Sequence, residues 1–161
     1  MLEQLDVVSH GLNVMQSDSS HLGMALNTWL MLTEHPDLTD ELKKELKARM
    51  AKNVTPFHIL AKICMNKEGC CLSEDQKQCV MDHIELIDER LPGMLVAFEM
   101  EDETIFPPAA FKQSIRGVLE PTKYWRYIAA RTELEPLKVF CDLAVRALSC
   151  PPSSAGSRDA I

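Results

Sequence analysis

The sequence predicts an all-α protein, and three observations carry that prediction. Apolar residues recur at helical spacing along most of the chain, proline and capping residues punctuate those runs, and no alternating apolar and polar segment suggests a strand pair. The expected architecture is an irregular multi-helix array of seven to nine helices joined by short, proline-containing turns.

Leu5, Val8, Leu12 and Met15 share a helical spacing, as do Leu22, Ala25, Leu26, Trp29 and Leu30. The first thirty-odd residues are therefore two helices or one broken helix, with Ser17 and Asp18 as a cap between them. Pro36 stops this region, and Thr39 caps a further helix whose first turn holds Asp40 and Glu41, where the helix dipole favours negative charge. Pro56 follows Thr55 and sits at a first helical position, where a missing N–H costs nothing. Ser73 and Gln76 have the spacing of a capping box, and Val80, Ile84, Ile87 and Leu91 line one face of the helix that follows, with Pro92 and Gly93 ending it. The apolar half of residues 94–108 fits a short helix or a strand; we read it as helical, closed by Pro107 and Pro108. Helices over 109–119, 122–130 and 134–148 complete the chain, the last with Leu137, Phe140, Cys141, Ala144 and Leu148 along one stripe. No internal repeat of solenoid period is visible.

The chain has 161 residues, enough for one domain with a real core, and its 46% hydrophobic and 25% charged residues exclude a disordered or fibrous class. The charge is unevenly placed. Asp82, Glu85, Asp88, Glu89, Glu99, Glu101, Asp102 and Glu103 stand against Arg90 alone, so this segment accounts for the whole net charge of −7. Nucleic-acid binding draws on phosphate neutralisation, so at most weak DNA binding is expected from this balance. The basic stretch with Lys43, Lys44, Lys47, Arg49 and Lys52 is read as a solvated helix face. The first thirty residues lack the features of a secretory signal, and no apolar run approaches membrane-spanning length. The six cysteines are accordingly expected to be reduced thiols in an intracellular compartment, without a disulfide framework.

Cys64, Cys70, Cys71, Cys79 and His83 lie within twenty residues, and Cys79 and His83 stand one helical turn apart. The spacing matches no standard pair of zinc knuckles, and core packing accounts for Cys79 and His83 as well as a metal does, so zinc stays open and no cofactor is assigned. The five histidines fall in no nucleophile-base signature, His58 lies inside an apolar helix, and no glycine-rich phosphate loop exists. The carboxylates from Glu99 to Glu103 suit a hard cation or plain solvation. The residues themselves point to no enzyme. Trp29 and Trp125 fit core roles; Tyr124 and Trp125 in KYWRYIAA, residues 123–130, are the better candidates if an aromatic binds a partner.

LKVFCDLAVRALSCPPSSAG, residues 137–156, resembles the C-terminal region of hAT-family transposases, where a helix leads into a Pro-x-Ser-Ser-Ala block. LNVMQSDSSHLGMALNTWLML (12–32), LTDELKKELKARM (38–50), TPFHILAKI (55–63) and PTKYWRYIA (121–129) resemble the helical region preceding that block in hAT-derived proteins, many of which carry BED-type zinc fingers. The resemblance divides the chain into a helical insertion-like region, 1–148, and the start of a C-terminal dimerisation block with a divergent tail, 149–161. It implies a ribonuclease-H-like fold and a three-acid active site in the full-length family, and a nuclear location beside a cytoplasmic one. Where the family places a glutamate after the block, this sequence has Arg158, with Ser157 and Asp159 beside it, so the register breaks after Gly156 and the ending reads as a cut. Such a chain is expected to be a catalytically inactive fragment or domesticated remnant that keeps at most protein association; the alternative is an independent helical adaptor with an acidic recognition segment. If the 134–148 stripe packs on a ribonuclease-H-like core in the family, it stands exposed here. Tyr124, Trp125, Leu137, Phe140 and Leu148 are thus the candidate interaction residues, for a protein partner or for self-association.

Overall fold

The computed structural model describes residues 22–65 and 72–150. The expected helix around Leu5 to Met15, the Ser17 and Asp18 cap, Cys70, Cys71 and the Pro-Pro-Ser-Ser-Ala-Gly block lie outside the described residues. Among the described residues the protein forms eight α-helices, one 3-10 turn and no strand. The helices are α1 (Leu22–Glu34), α2 (Asp40–Asn53), α3 (Pro56–Cys64), α4 (Glu74–Ile87), α5 (Leu91–Glu99), α6 (Gln113–Arg116), α7 (Pro121–Arg131) and α8 (Glu135–Ser149), with the 3-10 turn at Pro108–Phe111. No described helix is long and apolar enough to cross a membrane.

The caps read from sequence take their places. Thr39 Oγ1 accepts the Leu42 N–H at 3.3 Å. At the start of α4, Ser73 Oγ accepts the Gln76 N–H while Gln76 Oε1 accepts the Ser73 N–H, satisfying two donors that the helix leaves unpaired. Pro56 opens α3, and there His58 Nδ1 accepts the Thr55 N–H at 3.0 Å. One expectation fails at Pro92 and Gly93, which begin α5 rather than end α4. Asp88 stops α4 in an extended conformation and its Oδ1 accepts the Arg90 N–H, folding the turn, after which Pro92 stands in a first turn that needs no proline N–H. The helix expected over 109–119 is reduced to the 3-10 turn and the single turn of α6.

Helix α1 packs on α2 and α3, α4 on α3 and α5, and α8 on α3, α5 and α7. Gly23 sets the first of these contacts. A Cβ there would lie 2.5 Å from Met65 Sδ and 2.9 Å from the Ala61 carbonyl group, so only glycine lets α1 approach α3 this closely. Lys62, buried on α3, donates from Nζ to Asn27 Oδ1 and ties the same pair of helices.

The main core gathers side chains from α1, α3 to α5, α7 and α8, with Phe106 and Ala110 from the linking segment. Trp125 is its centre, with ring centroids 4.9 Å from Phe98, 5.4 Å from Tyr124 and 5.4 Å from Phe140. Its Nε1–H donates to the Cys64 carbonyl at 2.7 Å, and Tyr124 OH donates to the Ala110 carbonyl at 2.9 Å, so both aromatic polar groups are satisfied inside the core. A second, small cluster holds Leu32, Leu38 and Leu46, with Trp29 and Leu42 against it.

The expectation that the α8 stripe stands exposed is corrected here. Leu137, Phe140, Cys141, Ala144 and Leu148 are all buried, because α3, α5 and α7 of this same chain cover them. Phe140→Asp places a charge in that dry contact and is expected to lower stability by several kcal/mol, combining a lost core aromatic with a buried carboxylate. Thermal melts of the two forms check it; an unchanged melting temperature with improved solubility would restore the exposed stripe.

His58 adds a pH dependence. Its ring is buried, and desolvation lowers its pKa from 6.5 to about 4. The unfolded chain therefore takes up a proton near pH 6.5 that the folded chain resists until about pH 4. Stability is full above pH 6.5, falls through this window and levels off below it, a loss of up to about 3 kcal/mol. Urea unfolding across the window should show that slope in the parent and less of it in His58→Gln.

Candidate functional site

The five residues singled out from sequence are brought together, but inside the molecule. Tyr124, Trp125, Leu137, Phe140 and Leu148 all belong to the main core and none offers a surface to a partner. A helical apolar stripe does not reveal from sequence whether its cover lies in the same chain.

The candidate metal set is divided. Cys64 lies in the core, where desolvation, with the Cys141 thiol nearby, raises its pKa well above the ordinary thiol value. Burial likewise pushes Cys141 up to about 12, so both behave as protonated apolar groups. Cys79 faces solvent, whereas His83 turns toward the core, edge-on to Phe57 at 6.3 Å, with a buried Nε2 that has no hydrogen-bond partner among the described residues. No group of three or more histidine, cysteine or acidic side chains suited to a metal is found among the described residues.

The surface feature that does assemble is the hairpin of α4 and α5. Lys77, early in α4, and Glu99 and Glu101, at and beyond the end of α5, line one cleft, so the two helices run antiparallel. Of the large apolar side chains left exposed among the described residues, Leu86, Ile87, Val96 and Met100 lie on this hairpin; Met31, Val118 and Leu134 lie elsewhere. Leu86 at 87% and Met100 at 74% exposure stand almost fully in water. Sequence reasoning found the acids of this segment, set Ile87 on the apolar stripe although it is 49% exposed, and missed Leu86, Val96 and Met100, which fall off that stripe. Their signal was large side chains at positions helical phase assigns to solvent.

The acids divide by their surroundings. Asp88 is held at about 2 mainly by hydrogen bonds from the Arg90 side chain and N–H. The Thr104 hydroxyl and then its N–H lower Asp102 in the same way. Glu85, Glu99 and Glu103 pair with no cation among the described residues.

At the open end of the hairpin the cleft has a volume of about 870 Å³. Phe98 and Phe111 form part of its wall, and the Arg116 guanidinium lies 5.7 Å and 5.9 Å from their ring centres while pairing with Glu101. Glu101 has a φ of 53°, the one non-glycine residue with a positive φ among those described. The cause is helix termination. The Asp102 N–H reaches the Ala97 carbonyl at 2.9 Å and the Glu101 N–H reaches the Phe98 carbonyl at 3.1 Å, a Schellman closure whose left-handed position is usually glycine. Glu101→Ala loses the Arg116 pair and keeps the strain, whereas Glu101→Gly loses the pair and relieves it. Urea denaturation should find the glycine variant more stable than the alanine variant by about 1 kcal/mol.

No family model matches the chain, and no curated protein or solved structure matches it significantly.

Proposed function

We propose that this chain is a non-catalytic protein-association module, a relative of hAT-transposon-derived proteins that has kept their helical insertion-like part. The observation that carries the association reading is the α4–α5 hairpin, where exposed Leu86, Ile87, Val96 and Met100 share a short segment with eight acids. Apolar side chains left in water beside unpaired carboxylates form a surface with both anchors and charge selectivity for a protein partner. The kinship rests on the resemblance of residues 137–156 and the upstream helical stretches, and a nuclear location goes with it.

Strand transfer in the family would need carboxylates to hold two divalent ions about 4 Å apart around the attacking and leaving oxygens. By the pattern that the resemblance implies, Arg158 stands where the family would have its glutamate, and a cation cannot serve as a metal ligand there. A second reading, an independent helical adaptor without transposon ancestry, is favoured by the way α3, α5 and α7 close over α8. Both readings use the same acidic hairpin.

Incubation of the purified protein with DNA and Mg²⁺ or Mn²⁺ should give neither nicking nor strand transfer, and any DNA binding should be weak and fall steeply with salt. Metal-dependent cleavage abolished by substituting the acids from Glu99 to Glu103 would overturn the non-catalytic reading. Sequence-specific binding at physiological salt would count against an association role.

A further inference from the structure

Resting on that association reading, we infer that the occupant of the α4–α5 hairpin is a second copy of this chain, which docks its α2 there. Helix α2 buries Leu46 alone. Its opposite side presents Lys44, Lys47, Ala48 and Ala51, all exposed, within a sector of about 100° at 100° per residue. Lys52 borders the same face, and of these lysines only Lys47 meets a carboxylate among the described residues, Glu34 at 3.7 Å across an exposed gap. The face is basic and, at its two alanines, low in relief.

The hairpin is its complement. On α5, Gly93, Val96 and Met100 are exposed within a sector of about 60°, and on α4, Cys79, Asp82 and Leu86 occupy a similar sector. Leu86, Val96 and Met100 project where Ala48 and Ala51 leave room. Glu85, Glu89 and Glu99 surround them where Lys44, Lys47 and Lys52 need counter-charges. The two faces do not satisfy each other within one molecule, since α2 packs on α1 and makes no substantial contact with α4 or α5.

Because the two faces differ, the contact is heterologous, running head to tail from the α2 of one copy to the hairpin of the next. Residues 82–103 carry the net charge of −7 while α2 sets five cations against three acids, so the charge complementarity of the chain lies in this pairing. Association is therefore expected to be concentration-dependent and to weaken as salt screens the exposed charges.

Sedimentation and light scattering on the full chain test this. The parent's average mass should rise above the 18.1 kDa of one chain as concentration increases and should fall back in high salt. The double variant Lys44→Glu, Lys47→Glu and the double variant Glu85→Lys, Met100→Lys should each remain monomeric, with circular dichroism and melting temperature unchanged because all four side chains are exposed. Mixed together, they should associate to at least twice the single-chain mass, since the intact hairpin of the first variant takes the intact α2 of the second. A parent that stays monomeric at every concentration overturns the second copy as occupant, as does a basic amphipathic peptide that binds the hairpin while the parent remains monomeric. Association untouched by either double variant, or variants that fail to complement on mixing, overturns this docking mode. DNA cleavage would remove the association reading itself, whereas a monomeric parent removes only the identity of its occupant.

Discussion

The fold depends on the hydrogen bond from Trp125 to the carbonyl of Cys64. That carbonyl belongs to the last turn of α3, where helix geometry leaves acceptors without partners, and the indole N–H needs an acceptor once its rings are buried. A single contact answers both needs. It also joins residues 61 positions apart, tying α7 to the end of α3 with Phe98, Phe106 and Phe140 packed around the indole. Tyr124 extends the arrangement by anchoring the 3-10 turn through Ala110. With these two bonds made, the irregular segment between α5 and α7 is held down by aromatic packing rather than by regular structure of its own.

Local signals were legible in the sequence wherever one residue's chemistry decides a backbone outcome. Thr39, Ser73 with Gln76, and Pro56 each do one thing at a helix start, and each does it here. Pro92 and Gly93 misled as a helix end because proline is compatible both with the end of a helix and with a first turn; the Asp88 carboxylate, folding the chain back through Arg90, selects the second. The α8 stripe was legible as apolar but not as covered, since cover is a tertiary property set by α3, α5 and α7. For the hairpin the charge was readable and the relief was not: Leu86 and Met100 differ from core residues only in helical phase relative to neighbours that the sequence alone does not place.

The same core explains why the cysteines are quiet. Cys64 and Cys141 sit where a thiolate would be desolvated, so they pack as small apolar groups beside the central aromatics. His58, the buried histidine at the head of α3, stays neutral because burial desolvates its ring, while its Nδ1 accepts the Thr55 N–H.

The separation of the small Leu32, Leu38 and Leu46 cluster from the main core has a kinetic side. Helix α2 contributes Leu46 and Leu42 to that cluster and touches the main core through the partly buried Met50, so its opening leaves most of the main core in place. Its amides then exchange with solvent through a local event, while those of α7 and α8 wait for the whole molecule to unfold. The chain thus pairs an aromatic body closed on all sides with one basic helix that is tied to it by few apolar contacts.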